Sequence, residues 1–272
     1  MMRGLPRHRS VAGFPELRVL RAASRSPMTL DGTRTFVLGT QRPLVIDPGP
    51  RDEEHLETLL RLLDGFTPGA ILLTHGHADH AGGAPLLAER TGAPIAMGRG
   101  ALRLPFPVER VTTWLTNGDV LDSDAGPVRV ISTPGHAPEH LVFLYVAPDG
   151  RRALFAGDLL LGVGDSTVVS HPEGSVSDYL RSLETVTEAR PTVIFPAHGP
   201  PLRDPERAIA RYRSHRLARI EQVRRLRSER PELGAEAMIE LVYGPELDPR
   251  LLGAARGSIE AILAHLDADN AH

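Results

Sequence analysis

The run Thr74-His75-Gly76-His77-Ala78-Asp79-His80 constrains the chain more than any other feature, because four metal-capable donors fall within six residues. It follows the apolar stretch Ile71-Leu72-Leu73 and opens onto Gly82-Gly83, which reads as a buried strand ending in a tight turn before a helix. Such a turn can aim His75 and His77 at one ion while Asp79 and His80 reach another. Neutral imidazole and carboxylate suit zinc or a similar borderline ion. The plain alternative is a histidine-rich surface turn, and the density of donors weighs against it. Cysteine is absent from all 272 residues, so disulfides, thiolate ligands and cysteine nucleophiles are excluded together.

Four donors cannot complete two coordination spheres, so further ligands are expected, each at a strand end. His136 follows Val128–Ile131 in Thr133-Pro134-Gly135-His136, Asp158 follows Leu154-Phe155-Ala156-Gly157, and His198 follows Val193-Ile194-Phe195-Pro196-Ala197. His140, four residues after His136, is a candidate proton donor, against the simpler reading that it starts the strand Leu141–Val146.

The remaining pattern predicts a mixed α/β domain. Strands are expected at Leu17–Arg21, Thr35–Leu38, Leu44–Ile46, Ala70–Leu73, Pro94–Met97, Val128–Ile131, Leu141–Val146, Ala153–Phe155 and Thr192–Phe195. Helices are expected from Leu56 to near Gly65, at Ala84–Arg90 and at Val176–Glu188. Near residue 203 the character changes. Asp204 and Pro205 begin a long helix with Ile209, Tyr212, Leu217, Ile220 and Val223 on one stripe, and two more helices follow near 235–242 and 249–266. The expected division is an extension over 1–16, a catalytic domain over 17–203 and a helical domain over 204–272.

Composition adds exclusions. No apolar run approaches the roughly 18 residues of a membrane span, and the basic start lacks the apolar middle of a signal peptide, so a cytoplasmic protein without membrane partners is expected. A net charge of −3 exerts no general pull on nucleic acid, although Arg211, Arg213 and Arg216 lie in an arginine-rich stretch suited to tracking RNA. The alternative is a solvated helix face, and an aromatic content of 4% supplies few platforms for stacking bases.

The motifs resemble those of the metallo-β-lactamase superfamily over about residues 17–203. The resemblance implies a four-layer αββα sandwich and a binuclear site, with His75, His77 and His136 on the first metal, Asp79, His80 and His198 on the second, and Asp158 bridging. It also implies that Asp47 orients a ligand histidine from outside the coordination sphere. Pro27–Thr33, the Gly157-Asp158-Leu159 segment and His198-Gly199-Pro200 running into Ser214-His215-Arg216 are similar to the β-lactamase-like protein 2 group, which carries a C-terminal winged-helix-like domain. Relatives of that group usually have Asn where Arg34 stands and Gly where Ala197 stands; a positive φ at 197 would cost Ala on the order of 1 kcal/mol.

The implied cofactors are two divalent ions, zinc first, with manganese or iron as alternatives. The implied chemistry is attack by a metal-bridging hydroxide, with Asp79 and Asp158 in the catalytic set. Absence of cysteine sets this chain apart from zinc β-lactamases that use a Cys ligand, and His77 stands where flavodiiron proteins usually have Glu. Three functions follow: hydrolysis of a small ester or thioester, similar to glyoxalase II; cleavage of single-stranded RNA; and a non-catalytic winged-helix regulator, which the full ligand set disfavours. The oligomeric state is open.

Overall fold

The computed structural model describes residues 9–11, 13–24 and 26–270. Strands β1 (Arg9–Val11), β2 (Phe14–Arg21) and β3 (Arg34–Leu38) form an antiparallel ribbon. This corrects the expected loose extension over its described part. Phe14 and Leu17 point into the core, so the ribbon begins before Leu17; the rest of that extension lies outside the described residues.

Three short apolar strands follow, β4 (Leu44–Ile46), β5 (Ala70–Leu72) and β6 (Ile95–Met97), parallel and buried throughout. Continuous burial is what a strand covered on both faces requires. The crossovers are α1 (Glu53–Leu63), then α2 (Ala78–Ala81) with α3 (Ala84–Thr91). Asp52 caps α1 by accepting from the Glu54 and His55 amides. Strands β7 (Thr113–Trp114) and β8 (Val120–Ser123) were not anticipated. They are short, and β8 lacks a buried residue to mark a core-facing side. Sheet one runs β1 to β7 in order.

Sheet two contains β8, β9 (Gly126–Ser132), β10 (Leu141–Val146), β11 (Arg152–Gly157) and β12 (Val193–Pro196), in the order β12-β11-β10-β9-β8. Alternate residues sort the layers. Phe36 and Leu38 face sheet two, where Phe36 packs on Phe155 at 5.1 Å between ring centroids, while Val37 faces α1 and α3. Truncating Phe155 to Ala would cost about 3–5 kcal/mol. The outer face of sheet two carries α4 (Val176–Glu188), completing an αββα sandwich.

Three helices end the chain: α5 (Pro205–Glu229), α6 (Ala235–Tyr243) and α7 (Leu252–Asn270). They share one apolar cluster with α4 and the outer face of sheet two, so their core is continuous with that of the sandwich. Beyond β12 the described residues contain no strand, so the likeness to a winged helix rests on helices alone. The stripe on α5 differs from expectation: Leu217 is 40% exposed, and the buried place after Tyr212 belongs to Arg216, at 4%. The spacing 209, 212, 216, 220, 223 keeps one helical face, whereas 217 falls off it. No helix among the described residues is long and apolar enough to cross a membrane.

Candidate metal centre

The donors emerge where strands of both sheets end. β5 leads into Thr74 and His75, α2 carries Asp79 and His80, β9 leads to His136, β11 to Asp158 and β12 to His198. The backbone is shaped for this. Gly157, with φ +49°, leaves only 2.7 Å between an added Cβ and the Thr74 side chain, and Gly135, with φ +137°, leaves 2.5 Å to the Tyr179 backbone. A side chain at either position would displace the ligand loop that follows it.

The seven donors gather into overlapping groups: His75, His77 and His136; His75, His80 and Asp158; and Asp79, His80 and His198. Within each group the candidate ligand atoms lie within 4.8 Å of one another. In the first, His77 Nδ1 is 3.0 Å from His75 Nε2 and 3.1 Å from His136 Nε2. In the last, Asp79 Oδ2 lies 3.2 Å from His198 Nε2 and 3.4 Å from His80 Nε2. Asp158 reaches both groups, with Oδ1 at 3.3 Å from His198 Nε2 and Oδ2 at 3.7 Å from His136 Nε2. His80 Nε2, His198 Nε2 and Asp158 Oδ1 are buried without a hydrogen-bond partner. Converging orphan lone pairs of this kind fit divalent ions, which the donor chemistry independently favours.

Every imidazole is held by its other nitrogen. Asp47, 1% exposed and with φ +48°, places Oδ2 2.9 Å from His80 Nδ1 and accepts from the Thr74 amide and hydroxyl at 2.8 Å. The Thr74 oxygen in turn lies 3.0 Å from His75 Nδ1, so this one carboxylate orients two histidines. His136 Nδ1 meets the Val168 carbonyl at 2.6 Å, His198 Nδ1 the Gly32 carbonyl at 3.3 Å and His77 Nε2 the Glu173 carboxylate at 3.1 Å. Thr33 Oγ1 donates to Asp79 at 3.3 Å. Glu173 and Val168 are partners that the sequence reading missed.

Burial lowers His75 and His136, and for His75 the neighbouring rings His80, His77 and His136 lower it further. Burial also opposes charge on His80 and His198, but carboxylates prevail. Asp79, Asp158 and Asp47 drive His80 well above the usual imidazole range, and Asp158 with Asp79 pushes His198 up to about 9. Asp79 and Asp158 respond oppositely: burial would raise them, yet His80 and His198 hold both below the ordinary carboxylate range.

His140 does not present a proton to the site. It is fully buried, its Nε2 accepts from the Asp158 amide at 3.3 Å, and its Nδ1 lies 2.9 Å from the Thr133 hydroxyl. Burial lowers its pKa well below the usual range, so it acts as a neutral brace behind Asp158. Ala197 is not among the residues with positive φ, so the strain considered there is absent. Arg34 makes two bonds to Asp31, at 2.8 and 3.1 Å, and Asp31 accepts from the Gly199 amide at 3.2 Å, bracing the turn after His198. The three arginines considered for RNA separate: Arg211 is exposed, Arg213 lies 3.9 Å from Glu184, and Arg216 is buried and out of reach of any polymer. A cavity of about 630 Å³ adjoins Asp79, its lining including the apolar Pro50, Pro85, Leu86 and Phe106 and the charged Arg51, Glu89 and Arg110.

The family model for the metallo-beta-lactamase superfamily matches residues 29–198. A beta-lactamase-like protein 2 homolog of Drosophila melanogaster is 30% identical over 259 residues, covering 90% of this chain and 85% of its own. An atrochrysone carboxyl ACP thioesterase of Aspergillus fumigatus is 30% identical over 279 residues, covering 96% and 80%. A crystal structure of a beta-lactamase domain protein from Burkholderia ambifaria superposes with a TM-score of 0.79 at 26% identity, covering 99% of this chain and 91% of that one. Matching motifs, sandwich and near full-length relatives lead to one assignment: the chain belongs to the metallo-beta-lactamase superfamily and resembles its beta-lactamase-like protein 2 members.

Proposed function

We propose that this hydrolase cleaves a thioester at a binuclear zinc-type centre in which His75, His77 and His136 hold one ion, Asp79, His80 and His198 the other, and Asp158 both. Bound divalent ions would supply an acidified water, of pKa about 7, and polarisation of the carbonyl under attack. The chain's own residues do the rest. Asp79, with a side chain 28% exposed, is the ligand candidate nearest the cavity, where its carboxylate can orient the attacking water.

One observation carries the choice of thioester: His140, the nearest candidate acid, has both ring nitrogens engaged inside the protein. A thiolate, with a pKa of about 8.5, leaves without protonation, whereas an alkoxide from an ester or a ribose asks for an acid. The apolar walls beside Asp79 suit an acyl group, and a thioesterase among the relatives agrees in substrate class. The decisive experiment assays zinc-loaded protein on acyl thioesters, oxygen esters and single-stranded RNA in parallel. Thiol release should exceed oxygen-ester cleavage in kcat/KM, with RNA intact. RNA cleavage with inert thioesters would overturn the proposal.

A further inference from the structure

The segment 159–174, between Asp158 and α4, lies between the metal centre and the C-terminal helices and is bonded to both. On its inner side the Val168 carbonyl meets His136 Nδ1 at 2.6 Å, Glu173 lies 3.1 Å from His77 Nε2, and the Thr167 hydroxyl donates to the Asp158 carbonyl at 2.8 Å. On its outer side Tyr212 of α5 accepts from the Leu161 amide at 3.0 Å, Arg216 donates to the Thr167 carbonyl at 2.7 Å, and the Gly257 carbonyl of α7 accepts from the His171 amide at 3.0 Å. Arg216 is the unusual member. It is buried, has no carboxylate partner among the described residues, and sets its guanidinium 5.1 Å from the Tyr179 ring centroid. A guanidinium is costly to bury, and its Nε has no hydrogen-bond partner among the described residues, so the carbonyl and the aromatic face that compensate it in part also fix its place.

We propose that Arg216 is a positioning residue for the His75/His77/His136 half of the centre, acting through this segment; the inference rests on the metal-centre reading above. Each ligand imidazole must offer one lone pair in one direction, and the bond at the opposite nitrogen fixes both tautomer and ring angle. For His136 and His77 that opposite bond is made to Val168 and Glu173, on the same segment that Arg216 holds at Thr167. The outer partners of the other half are Asp47, Gly32 and Thr33, which lie elsewhere in the chain. Thr167 also bonds the carbonyl of Asp158, which both halves share, and among the described residues the segment's hydrogen bond to the other half alone is that of the Gly162 amide to the His198 carbonyl at 2.7 Å, ahead of the Arg216 bond. Loosening the segment at Thr167 therefore acts on one half-site first.

The test titrates cobalt(II) into metal-free parent, Arg216→Met and Arg216→Lys proteins against a competing chelator, and follows the histidine ring NMR signals of the zinc-loaded forms. Arg216→Met should weaken one of the two binding steps about tenfold, at the lower end of what outer partners of ligands contribute. It should disturb the His77 and His136 ring signals more than those of His80 and His198. Arg216→Lys keeps a donor for Thr167 and should show the same selectivity with a smaller loss; if the Met variant does not fold, the Lys variant carries the test. Two unchanged steps, or equal weakening of both, would overturn the inference, the second pointing to general destabilisation. A parent that takes up no cobalt would overturn the metal-centre reading and this inference with it.

Discussion

The two halves of the centre differ in what stands behind them. The Asp79/His80/His198 half is backed by Asp47, Gly32 and Thr33, from the start of the sandwich, and two of its members are completely buried. The His75/His77/His136 half leans on Val168 and Glu173 of the segment under the C-terminal helices, and the His77 side chain is 26% exposed. Two links cross over: the relay from Asp47 through Thr74 to His75, and the bond from the Gly162 amide of that segment to the His198 carbonyl. The same kinds of donor are thus held in one half by residues flanking β3 and β4 and in the other by the loop between β11 and α4. The halves should respond separately to changes behind them and together to changes between them.

Asp158 lies between them, and its loss should have the largest effect. Asp158→Ala removes the one carboxylate shared by both groups, and turnover should fall by more than the roughly 10–100-fold typical of outer partners. Circular dichroism should show the fold retained; a folded variant with parental activity would contradict the bridging role.

Changes behind each half sharpen the contrast. Asp47→Asn should cost about 10–100-fold in metal affinity, chiefly in the half containing His80, while Glu173→Gln should cost about tenfold in the other. Chelator competition on the two variants measures this. If both variants weaken the same binding step, the division is wrong.

Much of the first layer was legible because it is written in residue type and spacing. His75, His77, Asp79 and His80 announce themselves as a run, and His136, Asp158 and His198 each follow an apolar strand. The layer behind was legible only in part. Asp47 was singled out by the family resemblance, its place before Pro48-Gly49 alone reading as a loop carboxylate, while the Val168 and Gly32 contributions are backbone carbonyls with no signature, and Glu173 lies in an irregular segment. Arg216 was misassigned because an arginine in an arginine-rich helix reads as solvated, and only packing shows that it occupies the apolar stripe. His140 has the spacing of a site residue, yet depth turned it into a brace.

Titration separates the half-sites in a further way. In protein stripped of metal, His198 has a pKa of about 9 against 6.5 for the ordinary side chain. A raised imidazole pKa contributes stability that is fully present below about 6.5 and is lost as pH rises through about 9. His80 is raised as well and acts in the same sense, whereas His75 and His136, lowered by burial, favour the folded state only once the unfolded chain loses its imidazole protons. Melting temperatures of stripped Asn variants at Asp79 should therefore depend less on pH between 6.5 and 9 than those of the parent, because a carboxylate that raises His198 is gone. Equal slopes would show that Asp79 does not govern that proton.

The smallest expected effect tests the turn before His198. Because Ala197 has no positive φ and its methyl is fully buried, Ala197→Gly should destabilise the protein by about 1–2 kcal/mol, through the freer unfolded chain and the lost methyl together, readable by urea denaturation. A stabilised Gly variant would mean that the turn does carry strain.

The central claim, two half-sites built from seven donors, is tested most directly by counting metal. Elemental analysis of zinc-loaded parent protein after removal of loosely held ions should give close to two ions per chain, and His198→Ala should lower this to about one. A parent value near one that His198→Ala leaves unchanged would contradict the account.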